Sequence, residues 1–295
     1  MSIACTSSQL SSNQKSSDIS DDSYNYKFWV NRTANWRGSQ NIEPTLNKQA
    51  IIFFEDFEEP DYHRHWKLND GRPIGSSTVS EPAELVFLGN HSAVMECQEG
   101  RHETLGDGKL VLDSPIDGSA YVRLYLLLSK DFNIGRAESM YLFSIIALVS
   151  NDFYRGAGHR PTGKDRFGVA LAINRWNELY LYYYHPEQRS GYGDKIFSNK
   201  FLDLPIVESN KWYCLELMLR PNQIGKRDGK IKAWVNGKLS ISVDQMHLRD
   251  IEEVKIRQFR MTGYFSGRGF RGTSPKDQKI YIDNYVISLS RIGCT

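Results

Sequence analysis

Tyrosine has the most to offer chemically in this sequence, because it recurs at alternate positions in two apolar runs. In 119–129 (SAYVRLYLLLS), alternation along an extended chain puts Tyr121, Arg123 and Tyr125 on one face and Val122, Leu124 and Leu126 on the other. In 178–184 (ELYLYYY), Tyr180, Tyr182 and Tyr184 share a face opposite Leu179, Leu181 and Tyr183. A solvent-facing sheet would account for both, since tyrosine forms strands well. An ordinary outer face would carry more Lys, Glu and Thr, however. Tyrosines with one arginine suit a concave sheet that stacks sugar rings and hydrogen-bonds their hydroxyls. The expectation is one groove in which Tyr121, Arg123 and Tyr125 lie beside Tyr180, Tyr182 and Tyr184.

Two loops flank the second run. The first, 151–166 (NDFYRGAGHRPTGKDR), carries Arg155, His159, Arg160, Lys164 and Arg166. The second, 185–195 (HPEQRSGYGDK), holds His185, Gln188, Arg189 and Tyr192. Basic loops beside an aromatic sheet suit an anionic polysaccharide, whose carboxylates pair with guanidinium groups. The plainer alternative is that exposed loops collect Lys and Arg in any case. His159, Arg160 and Gln188 are taken with Tyr121, Tyr125 and Tyr180 as substrate-binding candidates.

Other chemistries find little support. Glycoside hydrolysis needs paired carboxylates on one groove, yet no Glu-x-Asp-x-x-Glu strand is present. Glu55-Asp56 with Glu58-Glu59 comes closest, at a different spacing. Gly-x-Ser-x-Gly, P-loop and His-Glu-x-x-His motifs are absent. Cys5, Cys97, Cys214 and Cys294 lie far apart with no CxxC pairing, which argues against zinc. Cys214 reads as a small buried hydrophobe, and a Cys97–Cys294 bridge is open to a secreted protein. No cofactor is expected beyond a structural Ca²⁺, which Asp283 could share with Glu55 or Asp56.

The elements that must position these groups are strands. Runs rich in β-branched and aromatic residues recur from Ile51 onward at 51–57, 92–98, 119–129, 140–149, 167–174 and 178–184, then at 211–219, 230–236, 239–243, 254–263 and 279–288. Asn236-Gly237 predicts a tight hairpin, and 243–253 one short helical turn. This pattern implies an all-β, jelly-roll sandwich over residues 46–295. Residues 1–45 are Ser-rich and lack apolar periodicity, as a leader or linker would. Ser2-Ile3-Ala4-Cys5 is open to reading as the end of a lipoprotein signal, which together with the rest implies a secreted or cell-surface protein. The formal charge of +2, from 37 Lys+Arg and 35 Asp+Glu, argues against nucleic acid as partner. No run approaches the roughly 20 apolar residues of a membrane span, and a monomer is expected.

Several segments resemble known proteins. Asn210-Lys211-Trp212-Tyr213-Cys214, Asp228-Gly229 and Trp234-Val235-Asn236-Gly237-Lys238 are similar to back-sheet strands of concanavalin A-like lectin/glucanase folds. The ending Ser274-Pro275-Lys276-Asp277-Gln278, Tyr281-Ile282-Asp283-Asn284 and Arg291-Ile292-Gly293 resembles jelly-roll polysaccharide lyases, the alginate and glucuronan lyases of families fourteen and twenty.

That resemblance, over about residues 50–294, implies β-elimination on a uronic-acid polymer. An Arg, Asn or Gln neutralises the carboxylate, a Lys, His or Tyr removes the C5 proton, and a Tyr protonates the leaving oxygen. The family's Tyr-x-Tyr maps onto Tyr182 and Tyr184, or onto Tyr180 and Tyr182. Arg123 is then the neutraliser, Lys164 or His159 the loop base, and His185 an alternative base. One departure is visible. Where the alginate-lyase pattern has Ser-x-Arg on the preceding strand, this chain reads Phe167-Gly168-Val169-Ala170. Three readings follow: a lyase acting on an acidic polysaccharide, a glycan-binding surface module that does not cleave, and a structural sandwich whose Tyr face packs on a partner.

Overall fold

A computed structural model of the chain describes residues 46–47, 49–59, 62–67, 77–80, 82–151, 158–197, 206–267 and 269–295. The leader 1–45, with Cys5, and the loop residue Arg155 lie outside the described residues. Alternating β-branched and aromatic residues form fourteen strands, and among the described residues there is no α-helix. They are β1 (Ile51–Glu55), β2 (Ser77–Val79), β3 (Ser92–Cys97), β4 (Gly108–Ile116), β5 (Ala120–Leu128), β6 (Ser139–Leu148) and β7 (Arg166–Ile173). The chain continues through β8 (Leu179–Tyr184), β9 (Asp194–Phe197), β10 (Trp212–Arg220), β11 (Gly229–Val235), β12 (Lys238–Met246), β13 (Lys255–Ser266) and β14 (Gln278–Ser288).

All eleven expected runs are strands, and β2, β4 and β9 are additional. β4 escapes the pattern because Asp113, Ser114 and Pro115 interrupt its apolar residues; β9 is a short edge strand. The expected turn in 243–253 does not form, because β12 continues to Met246 as the partner of β11. Asn236 and Gly237 do close a hairpin, with φ of 48° and 76°.

The strands make two antiparallel sheets. The back sheet runs β12-β11-β10-β5-β14-β3-β2, with β1 also paired to β14; the front sheet runs β4-β13-β6-β7-β8-β9. Between them lies one apolar core, to which β5 contributes Val122, Leu124 and Leu126, β8 contributes Leu179 and Leu181, and β13 contributes Phe259 and Phe265. The architecture is an all-β sandwich of the jelly-roll type, as expected.

Topology overturns the expected single groove. β5 is a back-sheet strand and β8 a front-sheet strand, so their polar faces point to opposite outsides of the sandwich. Tyr121, Arg123 and Tyr125 therefore cannot converge with Tyr180, Tyr182 and Tyr184.

The cysteine expectations also change. Cys214 is bonded to Cys294, while Cys97 is a buried free thiol whose ionisation burial pushes far up. The disulfide fastens the C-terminal tail over the outside of the back sheet.

Candidate active site on the front sheet

Cross-strand register lays three rows of side chains over the outer front face. The middle row is Lys109, Arg260, Ser144, Ala170, Tyr182 and Lys195, one residue from each strand from β4 to β9. On one side runs Val111, Gln258, Ile146, Gly168 and Tyr184. On the other runs Tyr264, Tyr141, Ala172, Tyr180 and Phe197. Small residues at Ser144, Gly168, Ala170 and Ala172 leave a low floor. Tyrosines rise on the β8 side of that floor and Arg260 on the β13 side.

Tyr182 and Tyr184 stand side by side on this face. Their hydroxyls are 3.3 Å apart, and the Gly193 backbone N–H donates to the Tyr182 oxygen at 2.8 Å. A side chain at Gly193 would collide with the Tyr183 carbonyl and the Tyr182 ring, so glycine lets the loop come this close. Burial pushes the Tyr182 hydroxyl up to about 12, against the lowering effect of Tyr184 and of the Gly193 amide. Burial raises Tyr184 as well, with a further upward push from its bond to Tyr182 and an opposing pull from Arg166. Both phenols are therefore protonated near neutrality and stand ready to donate. Tyr141 packs 5.1 Å from Tyr182 and stacks at 5.9 Å on Tyr264, which in turn stacks on His102.

Arg166 carries the positive charge at the Tyr184 end. Its guanidinium lies 4.7 Å from the Tyr184 ring centre and donates to the His159 carbonyl at 2.5 Å. Asp165 orders the approach by accepting from the Thr162 and Arg166 N–H groups. The loop residues His159, Arg160 and Lys164 are all exposed beside this end of the face. Arg160 donates to the Pro186 carbonyl at 2.7 Å, and Gly158 N–H to that of Gly191, so the two expected loops are stitched together.

Four other site candidates have different places. Tyr180 shares the outer parity but is wholly buried; its hydroxyl bonds Ser139 and its ring stacks on Phe197, so it braces the β8–β9 side of the face. His185 follows the opposite parity from Tyr184. It stacks on the core-facing Tyr183 at 4.7 Å and pairs with Asp194 at 2.8 Å, on the side opposite in parity to the Tyr182 and Tyr184 hydroxyls. Gln188 is fully buried, accepting from His185 N–H and donating to the Ser190 and Tyr192 carbonyls; it shapes the loop and does not reach substrate. Arg123 is fully buried on the back sheet, directly opposite Glu216.

The other back-sheet candidates are covered too. Tyr125 stacks on Phe87 at 3.7 Å and shares hydrogen bonds with Thr295, while the half-buried Tyr121 faces Trp234. Glu216 accepts the Ile292 and Gly293 N–H groups of the tail. Asp283 is filled by donors from Phe87, Leu88, Ser92 and Asn284. Glu55 and Asp56 each accept an N–H two residues ahead, and no group of three or more His, Cys, Asp or Glu converges among the described residues.

Sequence reasoning overlooked Tyr141, Tyr264 and Arg260. Their strands were identified, but register shifts in β6 and β13 break simple alternation and hide the shared face.

With this geometry in hand, comparison with known proteins is informative. Residues 179–285, from β8 to β14, match the Polysaccharide lyase 14 family model. Over that segment the chain resembles polysaccharide lyases. Among solved structures it is similar to alginate lyase vAL-1 from Chlorella virus, with TM-score 0.58 and 16% identity over 73% of this chain and 89% of that one. The marine PL-14 alginate lyase from Aplysia kurodai gives TM-score 0.58 and 18% identity over 72% and 86%. An endo-β-1,4-glucuronan lyase from the fungus Trichoderma reesei gives 0.54 and 15% over 81% and 96%. At these identities the likeness is one of fold. No curated protein matches the chain in sequence.

Proposed function

We propose that the protein cleaves a uronate-containing polysaccharide by β-elimination on the outer face of the front sheet. The observation that carries this reading is the paired Tyr182 and Tyr184 hydroxyls, 3.3 Å apart, beside Arg166 and a small-residue floor. Arg166 offsets the substrate carboxylate, which makes the C5 proton acidic. A base from the adjoining loop, Lys164 or His159, takes that proton. The C5–H electrons form the C4=C5 double bond, the C4–O bond breaks, and Tyr184 gives its proton to the departing oxygen. Tyr182, held by the Gly193 amide, keeps the Tyr184 hydroxyl in place. The Cys214–Cys294 disulfide supports a secreted or cell-surface setting, where such bonds persist.

The test is incubation of the full chain with alginate, glucuronan and related uronans, following absorbance near 235 nm. Unsaturated product on one of them is the expected result; none on any, at high protein concentration, removes the enzyme reading.

A second reading has its own observation. β7 presents only Gly168 and Ala170 opposite Tyr184 and Tyr182, where the resembled lyases carry a polar pair. A face lacking those groups suits binding without cleavage. That reading expects calorimetric affinity for a uronan whose chain length stays unchanged.

A further inference from the structure

The front face holds a second guanidinium whose surroundings set it apart. Arg260 stands in the same cross-strand row as Tyr182, with Ser144 and Ala170 between them. Three strand spacings separate the two backbones, about 14 Å at the usual sheet repeat. That distance exceeds one pyranose ring, so a group bound at Arg260 belongs to a different sugar from one held at the tyrosines.

Two other arginines that are not exposed, Arg249 and Arg257, are committed to protein. Arg249 donates to Asp117 and to the Asn222 and Val254 carbonyls, and Arg257 donates to Leu148 O. Arg166, which the proposed elimination uses at the Tyr184 end, also donates to the His159 carbonyl and lies against the Tyr184 ring. Arg260, by contrast, makes one long contact of 3.5 Å to Gln258, and its buried Nε has no hydrogen-bond partner among the described residues. Burial pushes the Asp107 carboxyl up, while Arg260 pulls it down and Glu103 pushes the same way as burial. A buried donor without a partner is costly, and an anionic fork-shaped acceptor is the group that satisfies a guanidinium best.

We propose that Arg260 is a carboxylate-reading subsite for a second uronate of the bound polymer, across the Ser144–Ala170 floor from Tyr182. The proposal rests on the uronan reading above and narrows it. The preferred substrate has uronates in runs, so that one carboxylate meets the Tyr184 end while another meets Arg260. Arg260 is a specificity determinant that touches substrate away from the reacting bond.

The test measures affinity, so it does not depend on turnover. The full chain carrying Tyr184→Phe is titrated calorimetrically with a homopolymeric uronan and with the same polymer after carboxyl reduction. Adding Arg260→Ala is expected to weaken uronan binding about tenfold or more and to leave the carboxyl-reduced polymer unaffected. Arg260→Lys, which keeps the charge and loses the fork, is expected to fall between; it also serves if the alanine variant melts early. Unchanged uronan affinity in Arg260→Ala, equal losses on both polymers, or Arg260→Lys indistinguishable from the parent on every polymer would each overturn the subsite. If the parent chain binds no uronan at all, the site reading itself falls and the subsite with it, a result separable from the others because it precedes any change at Arg260.

Discussion

The two outer faces of this sandwich carry the same residue types and opposite fates. On β8, Tyr182 is buried and Tyr184 half-buried beside a low floor, with exposed cations on the loop that precedes β7. On β5, Tyr121, Arg123 and Tyr125 are equally aromatic and basic, yet the tail fastened by Cys214–Cys294 and the 82–91 segment close over them. Glu216 meets Arg123 in register and receives two tail N–H groups. Burial raises the Glu216 carboxyl above its usual range, while the tail amides, Arg291 and Arg123 pull it back. Composition and parity are thus alike on the two faces, and what packs over each of them differs.

Substitutions that exchange the roles of the faces would break this comparison. The largest effect is expected at Tyr184→Phe, which should cut the rate of unsaturated-product formation by about 10²–10⁴ if its proton is the one delivered. Polymer affinity should barely change, since only the phenolic oxygen is lost; surviving activity would remove Tyr184 as the acid. Arg123→Ala should act the other way, costing about 3–5 kcal/mol of stability by leaving Glu216 buried without its facing charge. Denaturant melts would show this, while the folded fraction keeps its affinity for polymer. A loss of affinity at unchanged stability would return Arg123 to the site.

A smaller effect is expected at the latch. Cys294→Ser should lower stability by about 2–4 kcal/mol, read from urea midpoints with and without reductant, and should leave front-face chemistry intact. The wild-type protein should respond to reductant and the variant should not. The smallest effect concerns pH. Because burial raises Tyr182 from its ordinary 10.0 to about 12, its neutral form is the one the fold favours. Its contribution is fully present below pH 10 and is lost as pH rises through about 12. Stability should fall with pH across that window in wild type and less steeply in Tyr182→Phe, the other buried tyrosines keeping the remainder; identical profiles would mean the phenol titrates as in water.

Much of the fold could be read from the chain, and less of the site. The shared face of Tyr182 and Tyr184 and the exposed loop position of His159, Arg160 and Lys164 are legible because alternation and turn chemistry are local. Arg123 and Tyr125 misled for the same reason: parity reports a face without saying what lies over it. Tyr141 and Ser144 share the outer front face only because a register shift in β6 resets the alternation between them. Arg260 joins Tyr182 through pairings among four strands whose order differs from their order in sequence.

By itself, then, the sequence determined the strands, their apolar sides and the Asn236-Gly237 hairpin, since steric preference and hydrophobic period act between near neighbours. Only the tertiary structure decided which sheet each strand joined, that Cys294 would reach Cys214 and leave Cys97 alone, and that the C-terminal tail would lie over one tyrosine face and not the other. Those outcomes depend on contacts between residues far apart in the chain, where burying apolar area selects a partner that no local pattern names.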